Sequence, residues 1–462
     1  MVRDQVRDKL NFAFDDRGEQ QVKNIARPVR VFDVKIAGET MTLTSHSGAA
    51  ASLPLPDKPS IAVLPFQNMS GDPEQEYFAD GMVEEIITAL SRIRWLFVIA
   101  RNSSFTYKRK SVDVKQVGRQ LGVRYVLEGS VRKGGNRVRI TAQLIEAETG
   151  AHLWADRFDG SLEDVFDLQD KVAISVAGII EPALQAAEVR RSSARPTNDL
   201  TAYDLYLRAL ATFYPITKER LLDALELLEQ AIAIDRHCGQ ALSLAAMCQM
   251  RLVRESWAEA TETASRKAMD LARQALQVAG DDPGILANAA FVLANFGEEI
   301  GAMTALVDRA LTLNPSFSRG WFLGGVLRLW AGHPDLAIEH AETALRLSPR
   351  DPGVPTWQFL MCHLLTHLAQ WEQAIEWCGK SIASGNASMY PYVDLAAANA
   401  WAGHDKEAKH AVAQLRKLYP DFTVQTWAGI HWSDDPTFNE QYARIVEGLR
   451  KAGLPEGEKK TD

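Results

Sequence analysis

The sequence predicts a mixed fold, in which a small α/β sheet domain is followed by an all-α, superhelical solenoid of repeated helix pairs. Residues 59–186 alternate strand-like and helix-like stretches and end with three strand-like runs and a closing helix, which is the order of a compact α/β domain. Residues 200–435 repeat a helix–turn–helix frame at a spacing of 34 residues. Residues 38–58 are rich in small residues, Ser, Thr and Pro without periodicity, which indicates a linker.

The most regular repeat runs from Trp321 to Pro349 and is interrupted by the turn-forming Gly332-His333-Pro334. The positions that agree with a tetratricopeptide consensus are Trp321, Gly325, Gly332, Ala337, Ala344 and Pro349. The stretch therefore resembles the tetratricopeptide repeat (TPR) family, although Arg328 and Ala341 stand where that family usually has aromatic residues. The resemblance implies that the consensus residues hold helices together.

The TPR resemblance also implies a concave groove that binds a helix or an extended tail of another protein. Specificity is then expected at variable positions of the inner helices, namely Arg319, Phe322, Trp330 and Tyr390. The alternative is that these four residues are solvated surface or packing between repeats. Residues 436–462 are expected to form a capping helix and a charged tail.

The sheet domain, residues 59–186, resembles the amino-terminal domain of TolB. The stretches that carry the resemblance are Ile61–Phe66, Phe78–Gly81, Tyr125–Val131 and Leu153–Ala155. The resemblance implies a role in assembly and protein contact. Pro182 is expected to stop or kink the closing helix, and residues 187–199 are expected to form a polar hinge before the repeats.

Residues 1–37 resemble the final strands of a class III adenylate or guanylate cyclase catalytic domain. The stretches that carry this resemblance are Gly18–Gln20, Val22–Ile25 and Pro28–Phe32. Such a domain needs two metal-binding aspartates on earlier strands, and this chain does not contain that part. We therefore interpret the segment as a non-catalytic remnant. The alternative is that the chain is the regulatory part of an adenylate cyclase, related to bacterial cyclase–TPR proteins, whose catalytic domain is truncated or encoded upstream.

Composition favours a globular chain of several domains. The 462 residues are 46% hydrophobic and carry a formal net charge of −8, which argues against nucleic acid as the dominant partner. No apolar run is long enough to be expected to span a bilayer, and Met1 is followed by charged residues without the apolar core of a signal peptide. The sequence therefore predicts a cytoplasmic protein with a protein partner, and a cyclase catalytic domain is one candidate partner.

No catalytic, cofactor-binding or metal-binding residues are predicted. His363 and His367 are spaced as a pair that could bind zinc, but packing between helices is the preferred interpretation. Gly379-Lys380-Ser381 lacks the upstream glycine of a phosphate-binding loop. The four cysteines, at 238, 248, 362 and 378, are interpreted as buried small residues without disulfides.

Two polar clusters of the sheet domain leave alternatives open. The loop Asn68–Asp72, together with Asp80, could bind a ligand at the carboxyl end of a strand, but turn and capping roles are preferred. The basic stretch Arg101–Lys110 contains Phe105 and Tyr107 and could contact nucleic acid, but a solvated face is preferred.

Overall fold

A computed structural model describes most of the chain. The described residues are 12–20, 29–36, 59–70, 76–110, 113–134, 137–161, 165–193, 201–213, 216–349, 351–386 and 388–457. They divide into two compact units, one within Met1–Ala51 and one within Ser52–Asp462. The predicted linker at 38–58 lies outside the described residues, as do 22–25 of the cyclase-like stretch.

The first unit contains an antiparallel strand pair. Strand β1 (Phe12–Gln20) pairs with β2 (Val29–Ile36), and the register shifts between Asp16 and Glu19. Gly18 lies in this bulge with a φ of 74°, a conformation that glycine adopts without a steric cost. Strand β2 therefore covers residues 29–32 of the cyclase-like stretch.

The second unit begins with a mixed sheet. Its strands are β3 (Ser60–Val63), β4 (Gln67–Asn68), β5 (Phe97–Val98), β6 (Tyr125–Gly134), β7 (Arg137–Glu146) and β8 (His152–Ser161). Their order is β5-β3-β6-β7-β8, with β4 also paired to β6. Strand β3 is parallel to β5 and β6, whereas β6, β7 and β8 form an antiparallel meander. All four residues of β3 are buried, as expected for a strand with helices on both faces.

Helices cover both faces of this sheet. They are α1 (Glu76–Ser91), α2 (Arg101–Ser104), α3 (Val114–Leu121) and α4 (Val165–Ser193). One hydrophobic cluster joins α1 and α4 to the sheet, and a smaller cluster packs α3 against the opposite face. The Asp113 carboxylate accepts a hydrogen bond from the Lys115 amide at the start of α3, and Gly122 ends that helix with a φ of 64°.

Helix α4 does not stop at Pro182 but continues to Ser193. The expected hinge is therefore wrong for residues 187–193, and 194–199 lie outside the described residues. An internal proline costs about 3 kcal/mol. Ile180, Leu184 and Ala187 are fully or almost fully buried in the core of the sheet domain, and burial of a large aliphatic side chain contributes about 1.5–3 kcal/mol. Packing therefore outweighs the local cost of the proline.

The same helix bears on the expectation that the chain has no membrane span. The stretch Leu168–Ser193 is long and apolar enough, by length and composition, to cross a membrane. Half of its most apolar window is buried within the protein, where it packs on α1, β8 and the repeats. Its apolar side chains therefore have a role in the core.

The repeats follow as six consecutive helix pairs in the described part of the chain. The helices are α5 (Ala202–Phe213), α6 (Lys218–Ile234), α7 (Gly239–Arg254), α8 (Thr261–Ala279), α9 (Pro283–Asn295), α10 (Ile300–Leu313), α11 (Ser318–Trp330), α12 (Pro334–Leu347), α13 (Val354–His367), α14 (Trp371–Ala383), α15 (Met389–Ala402) and α16 (Asp405–Leu418). Each first helix packs on the first helix of the next pair, so α5, α7, α9, α11, α13 and α15 form the inner, concave face. The predicted fold class, a small α/β domain followed by a TPR-like solenoid, is confirmed.

The sheet domain packs directly on the repeats through α4. A Cβ built on Gly178 would lie 3.1 Å from the carbonyl oxygens of both Ser316 and Leu347, so any larger residue would push α4 away from the repeats. One turn further, the Trp95 indole donates a hydrogen bond to Glu181 (3.4 Å). Arg94 forms an ion pair with Asp281 of the repeats at 2.7 Å.

The cysteine prediction is wrong for one pair. Cys362 on α13 and Cys378 on α14 form a disulfide with an S–S distance of 1.98 Å, while Cys238 and Cys248 are free and buried. The two bonded residues are 16 positions apart, but the antiparallel helices bring their Cα atoms to 5.0 Å. Spacing along the sequence does not reveal this approach.

Candidate binding cavity on the inner face of the repeats

The carboxyl-terminal part of the chain returns to the inner face of the solenoid. After α16 the chain forms α17 (Val424–Ala428) and α18 (Pro436–Lys451). Helix α18 packs mainly on α15 and α13, which are both inner helices. The expected capping helix therefore lies in the concave face. We refer to residues 422–435 as the return segment.

Hydrogen bonds fix the return segment against α11. The Ser433 hydroxyl donates to the backbone carbonyl of Trp330, which is 103 residues away in sequence. The Asp435 carboxylate accepts from the Phe438 amide (2.9 Å) and so caps α18. Gly332, at the end of α11, has a φ of 77°, and a Cβ at this position would overlap the Asp435 carboxylate.

A cavity of about 1040 Å³ remains between the return segment and the inner helices. Inner helices supply most of its wall, and the return segment supplies Trp427 and Trp432. Pockets for small molecules usually measure about 300–1,000 Å³ and are lined mostly by apolar and aromatic side chains. The cavity therefore has the size of a binding site for a compact ligand or for anchoring side chains of a partner.

Aromatic rings in contact with one another line the cavity. Phe291 stacks on Trp330 with ring centroids 5.6 Å apart, and Trp330 lies 6.0 Å from Trp432. Trp432 in turn lies 5.9 Å from Trp427 and 6.3 Å from Tyr390. Such rings bury a large apolar area and present flat faces, on which another ring or an alkyl chain can pack.

Charged groups stand among these rings at the end of α7. The Arg254 guanidinium lies 4.2 Å from the Trp432 ring centroid, and its Nε donates to the Asn295 side chain at 2.6 Å. Glu255 is buried, with Arg251 Nη1 at 4.0 Å from its carboxylate. Burial raises the pKa of Glu255, against the effect of Arg251, and lowers the pKa of Arg254.

Three of the four predicted groove residues line the cavity. Phe322 and Trp330 are almost fully buried in its wall, and Tyr390 is partly buried there. Arg319 is not part of the lining. Its Nε donates to the Asn288 side chain at 3.2 Å, and its guanidinium lies 5.8 Å from the Phe213 ring centroid. The inner face thus brings the aromatic candidates together and leaves Arg319 apart from them.

Most of the TPR consensus residues lie between helices. Trp321 packs on His340 at 4.6 Å and donates from its indole to the Pro315 carbonyl at 2.8 Å. A Cβ on Gly325 would meet Leu360 at 3.1 Å and the Ala337 carbonyl at 3.2 Å. Ala337 and Ala344 have no exposed surface, whereas Pro349 is exposed in the turn after α12.

The two histidines on α13 have separate partners. His363 lies in the cavity wall and its Nδ1 is 2.7 Å from the buried Asp394 carboxylate, while His367 Nδ1 lies 3.2 Å from Gln441 on α18. Burial lowers the pKa of His367 well below its ordinary value. Over the described ranges, no group of three or more His, Cys, Asp or Glu side chains is placed to hold a metal ion.

The polar clusters of the sheet domain are occupied by internal contacts. Lys108 of the basic stretch forms ion pairs with the Asp80 carboxylate at 2.6 Å and with the Glu76 carboxylate at 2.9 Å. The basic stretch and the Asp80 cluster are therefore bound to each other. Asn68 accepts from the Ser70 amide at 3.0 Å, while residues 71 and 72 lie outside the described residues. Lys380 lies inside α14 and pairs with Glu376 at 2.7 Å, not in a phosphate-binding loop.

Sequence reasoning missed Arg254 and the role of the return segment. The aromatic residues Phe422, Trp427 and Trp432 could have indicated that this segment packs on another part of the protein, because three large rings in a short stretch require a surface to cover them. Arg254 gave no comparable signal, since arginines at the end of a helix are common. Only the contact with Trp432, 178 positions away, distinguishes it.

Comparison with known proteins supplies two sequence matches. The family described as "HilA/YgeH-like transcriptional regulator, second domain" matches residues 57–174, which hold most of the sheet domain. A protein of Rhizobium meliloti (strain 1021), described as "Putative adenylate cyclase 3", is 42% identical over 284 residues. That match covers 61% of this chain, and the chain spans about half of the relative's length (48%). The resemblance to an adenylate-cyclase-related protein with helical repeats is confirmed.

Solved structures with similar parts have low identity. PilF of Pseudomonas aeruginosa is 19% identical with a TM-score of 0.35, covering 52% of this chain and 96% of that one. A thermophilic TPR protein of Thermus thermophilus is 16% identical with a TM-score of 0.35, covering 43% and 98%. TolB of Acinetobacter baumannii is 17% identical with a TM-score of 0.21, covering 29% and 30%. At these scores the likenesses carry no argument, and the repeat architecture rests on the helix pairs themselves.

Proposed function

We propose that this chain is a non-catalytic, cytoplasmic regulatory scaffold that binds a peptide or helix of a partner protein on the concave face of its repeats. The observation that carries the proposal is the aromatic cavity on that face, which Phe322, Trp330 and Tyr390 help to line. Buried aromatic pockets are where interfaces concentrate binding energy, because they remove both partners from water. A partner would anchor one or two apolar side chains there.

Capture of partners by the full chain tests this proposal. Tyr390→Ala should lower capture of a specific partner by about 10-fold or more, the loss expected for an aromatic anchor. Leu336→Ala is a matched control, because Leu336 is 47% exposed on the outer helix α12. Thermal melts of both variants establish that the fold is kept. A partner that binds wild type and Tyr390→Ala equally well does not use the cavity.

The second candidate function is the regulatory part of an adenylate cyclase, which converts ATP to cyclic AMP. It is favoured by the 42% identity to the Rhizobium meliloti relative. In that case the partner is a cyclase catalytic domain and the scaffold acts in cyclic-nucleotide signalling. The purified chain should form no cyclic AMP from ATP with Mg²⁺ or Mn²⁺. Cyclic AMP formation by this chain alone would contradict the non-catalytic proposal, and the genomic sequence before Met1 would identify an adjoining cyclase domain.

The sheet domain, taken as residues 59–186, is proposed to be a TolB-like protein-contact module with no direct role in nucleic-acid binding. Its match to a transcriptional regulator family makes DNA the alternative partner. The ion pairs of Lys108 with Glu76 and Asp80 favour protein contact, since they already neutralise part of the basic stretch. DNA binding that weakens steeply with salt, and that Lys110→Glu abolishes, would overturn this assignment.

A further inference from the structure

Arg254 stands in the cavity wall without a direct ion pair to a described carboxylate. No described carboxylate lies within 4.0 Å of the Arg254 guanidinium nitrogens, because Glu255 is placed beside Arg251. Arg254 is instead held by the Trp432 face and by the Asn295 side chain. Arg254 is partly buried, and Glu255 acts on it only from beyond ion-pair distance. A partly buried cation without a direct ion pair is costly, and a bound anion would relieve that cost.

The rest of the wall restricts the kind of anion. Rings from both sides, among them Phe291, Trp330, Trp427 and Trp432, require an apolar or aromatic body. One guanidinium can hold one carboxylate through two parallel hydrogen bonds. A nucleotide triphosphate carries several negative charges, and Glu255 in the same wall would repel the excess. The chemistry therefore fits a compact organic molecule with one carboxylate.

We propose that the cavity is a binding site for a small aromatic or apolar monocarboxylate, whose carboxylate pairs with Arg254 beneath the return segment. The proposal goes beyond partner binding and does not depend on it. Because both α7 and the return segment form the wall, the ligand would contact both and stabilise their association. Ligand binding in the cavity would therefore control how firmly the return segment covers the concave face. The scaffold would in this way respond to the concentration of the ligand.

Matched probes test the charge requirement on the full chain. Indole-3-acetate has an aromatic body and a carboxylate, indole-3-acetamide lacks the charge, and tryptamine carries the opposite charge. Isothermal titration should give binding of indole-3-acetate that is roughly 10- to 100-fold tighter than that of the amide, the range for a charge-assisted hydrogen bond. Indole-3-acetate alone should raise the thermal midpoint as its concentration increases.

Variants locate the interaction. Arg254→Gln should remove the preference for the carboxylate, and Arg254→Lys should keep part of it because the charge remains without the planar fork. Arg309→Gln on the exposed side of α10 is the matched control and should bind like wild type. If Arg254→Gln fails to fold, the comparison of acid with amide on wild type still decides the question.

Three results would overturn the proposal. One is equal binding of indole-3-acetate and its amide, which would indicate apolar contact alone. Another is unchanged preference for the carboxylate in folded Arg254→Gln. The third is the absence of binding by any probe up to about 10 mM, a concentration at which even weak sites give a measurable thermal shift. Loss of partner capture would be a separate outcome, because these titrations contain no partner.

Discussion

Glu181 is expected to make the docking of the sheet domain on the repeats sensitive to pH. It lies on α4 next to Trp95, and burial together with the nearby carboxylates of Asp282 and Asp351 raises its pKa from 4.5 to about 8. The Trp95 hydrogen bond opposes this increase. The protein therefore favours the neutral carboxyl, while the unfolded chain ionises it above pH 4.5.

The direction of the effect follows from linkage. A raised pKa stabilises the fold fully below pH 4.5, and this contribution is lost as the pH rises through about 8. The rise of the Glu181 pKa from 4.5 to about 8 sets an upper limit of about 5 kcal/mol on this contribution. Glu181 keeps some contact with solvent, which reduces the expected loss to roughly 2 kcal/mol.

Glu181→Gln tests this reasoning, because glutamine keeps an acceptor for Trp95 but cannot ionise. Urea unfolding at pH 5 and pH 8.5 should show that wild type loses roughly 2 kcal/mol more than the variant between the two values. Exposed Glu339→Gln on α12 is the control and should follow wild type. If the free energy of unfolding changes by the same amount in wild type and Glu181→Gln between pH 5 and pH 8.5, Glu181 is not held neutral in the folded protein.

Three further substitutions probe the repeats. Gly332→Ala should destabilise the chain by about 2–3 kcal/mol in urea unfolding, because the residue has a positive φ and a Cβ would displace Asp435 from its cap. Gly379→Ala on α14 should instead stabilise the chain by up to about 1 kcal/mol, because a Cβ there meets nothing within 4 Å. Burial lowers the pKa of His340 to about 4, so wild type should lose up to about 3 kcal/mol as the pH falls from 6.5 to 4, and His340→Leu should not. An equal loss in His340→Leu, measured by unfolding at both pH values, would assign the effect to other groups.

Local patterns in the sequence carry most of the fold. The spacing of small residues around Gly325 and Ala337 marks two helices in contact, because only small side chains allow that approach. The four-residue run of β3 likewise indicates a strand buried on both faces. These patterns lie within one or two helices or strands, so they can be recognised from residues that are close together in the sequence.

The features that sequence reasoning missed depend on contacts between distant residues. Continuation of α4 past Pro182 is decided by the sheet core and the repeats, not by the proline itself. The cavity depends on Ser433 reaching Trp330 and on Trp432 covering Arg254. Among the predicted groove residues, the three aromatic ones lie in the cavity wall and Arg319 has its contacts elsewhere in the array, while a role of any of them in binding stays a prediction.

The return segment has a thermodynamic consequence for any molecule that approaches the concave face. Because it is covalently attached close to its own binding surface, it acts as an intramolecular competitor with an effective concentration in the millimolar range or above. An external helix must displace it or use the surface that it leaves uncovered. The apparent affinity of a competing partner is then its intrinsic affinity multiplied by the fraction of molecules in which the return segment is detached from the concave face.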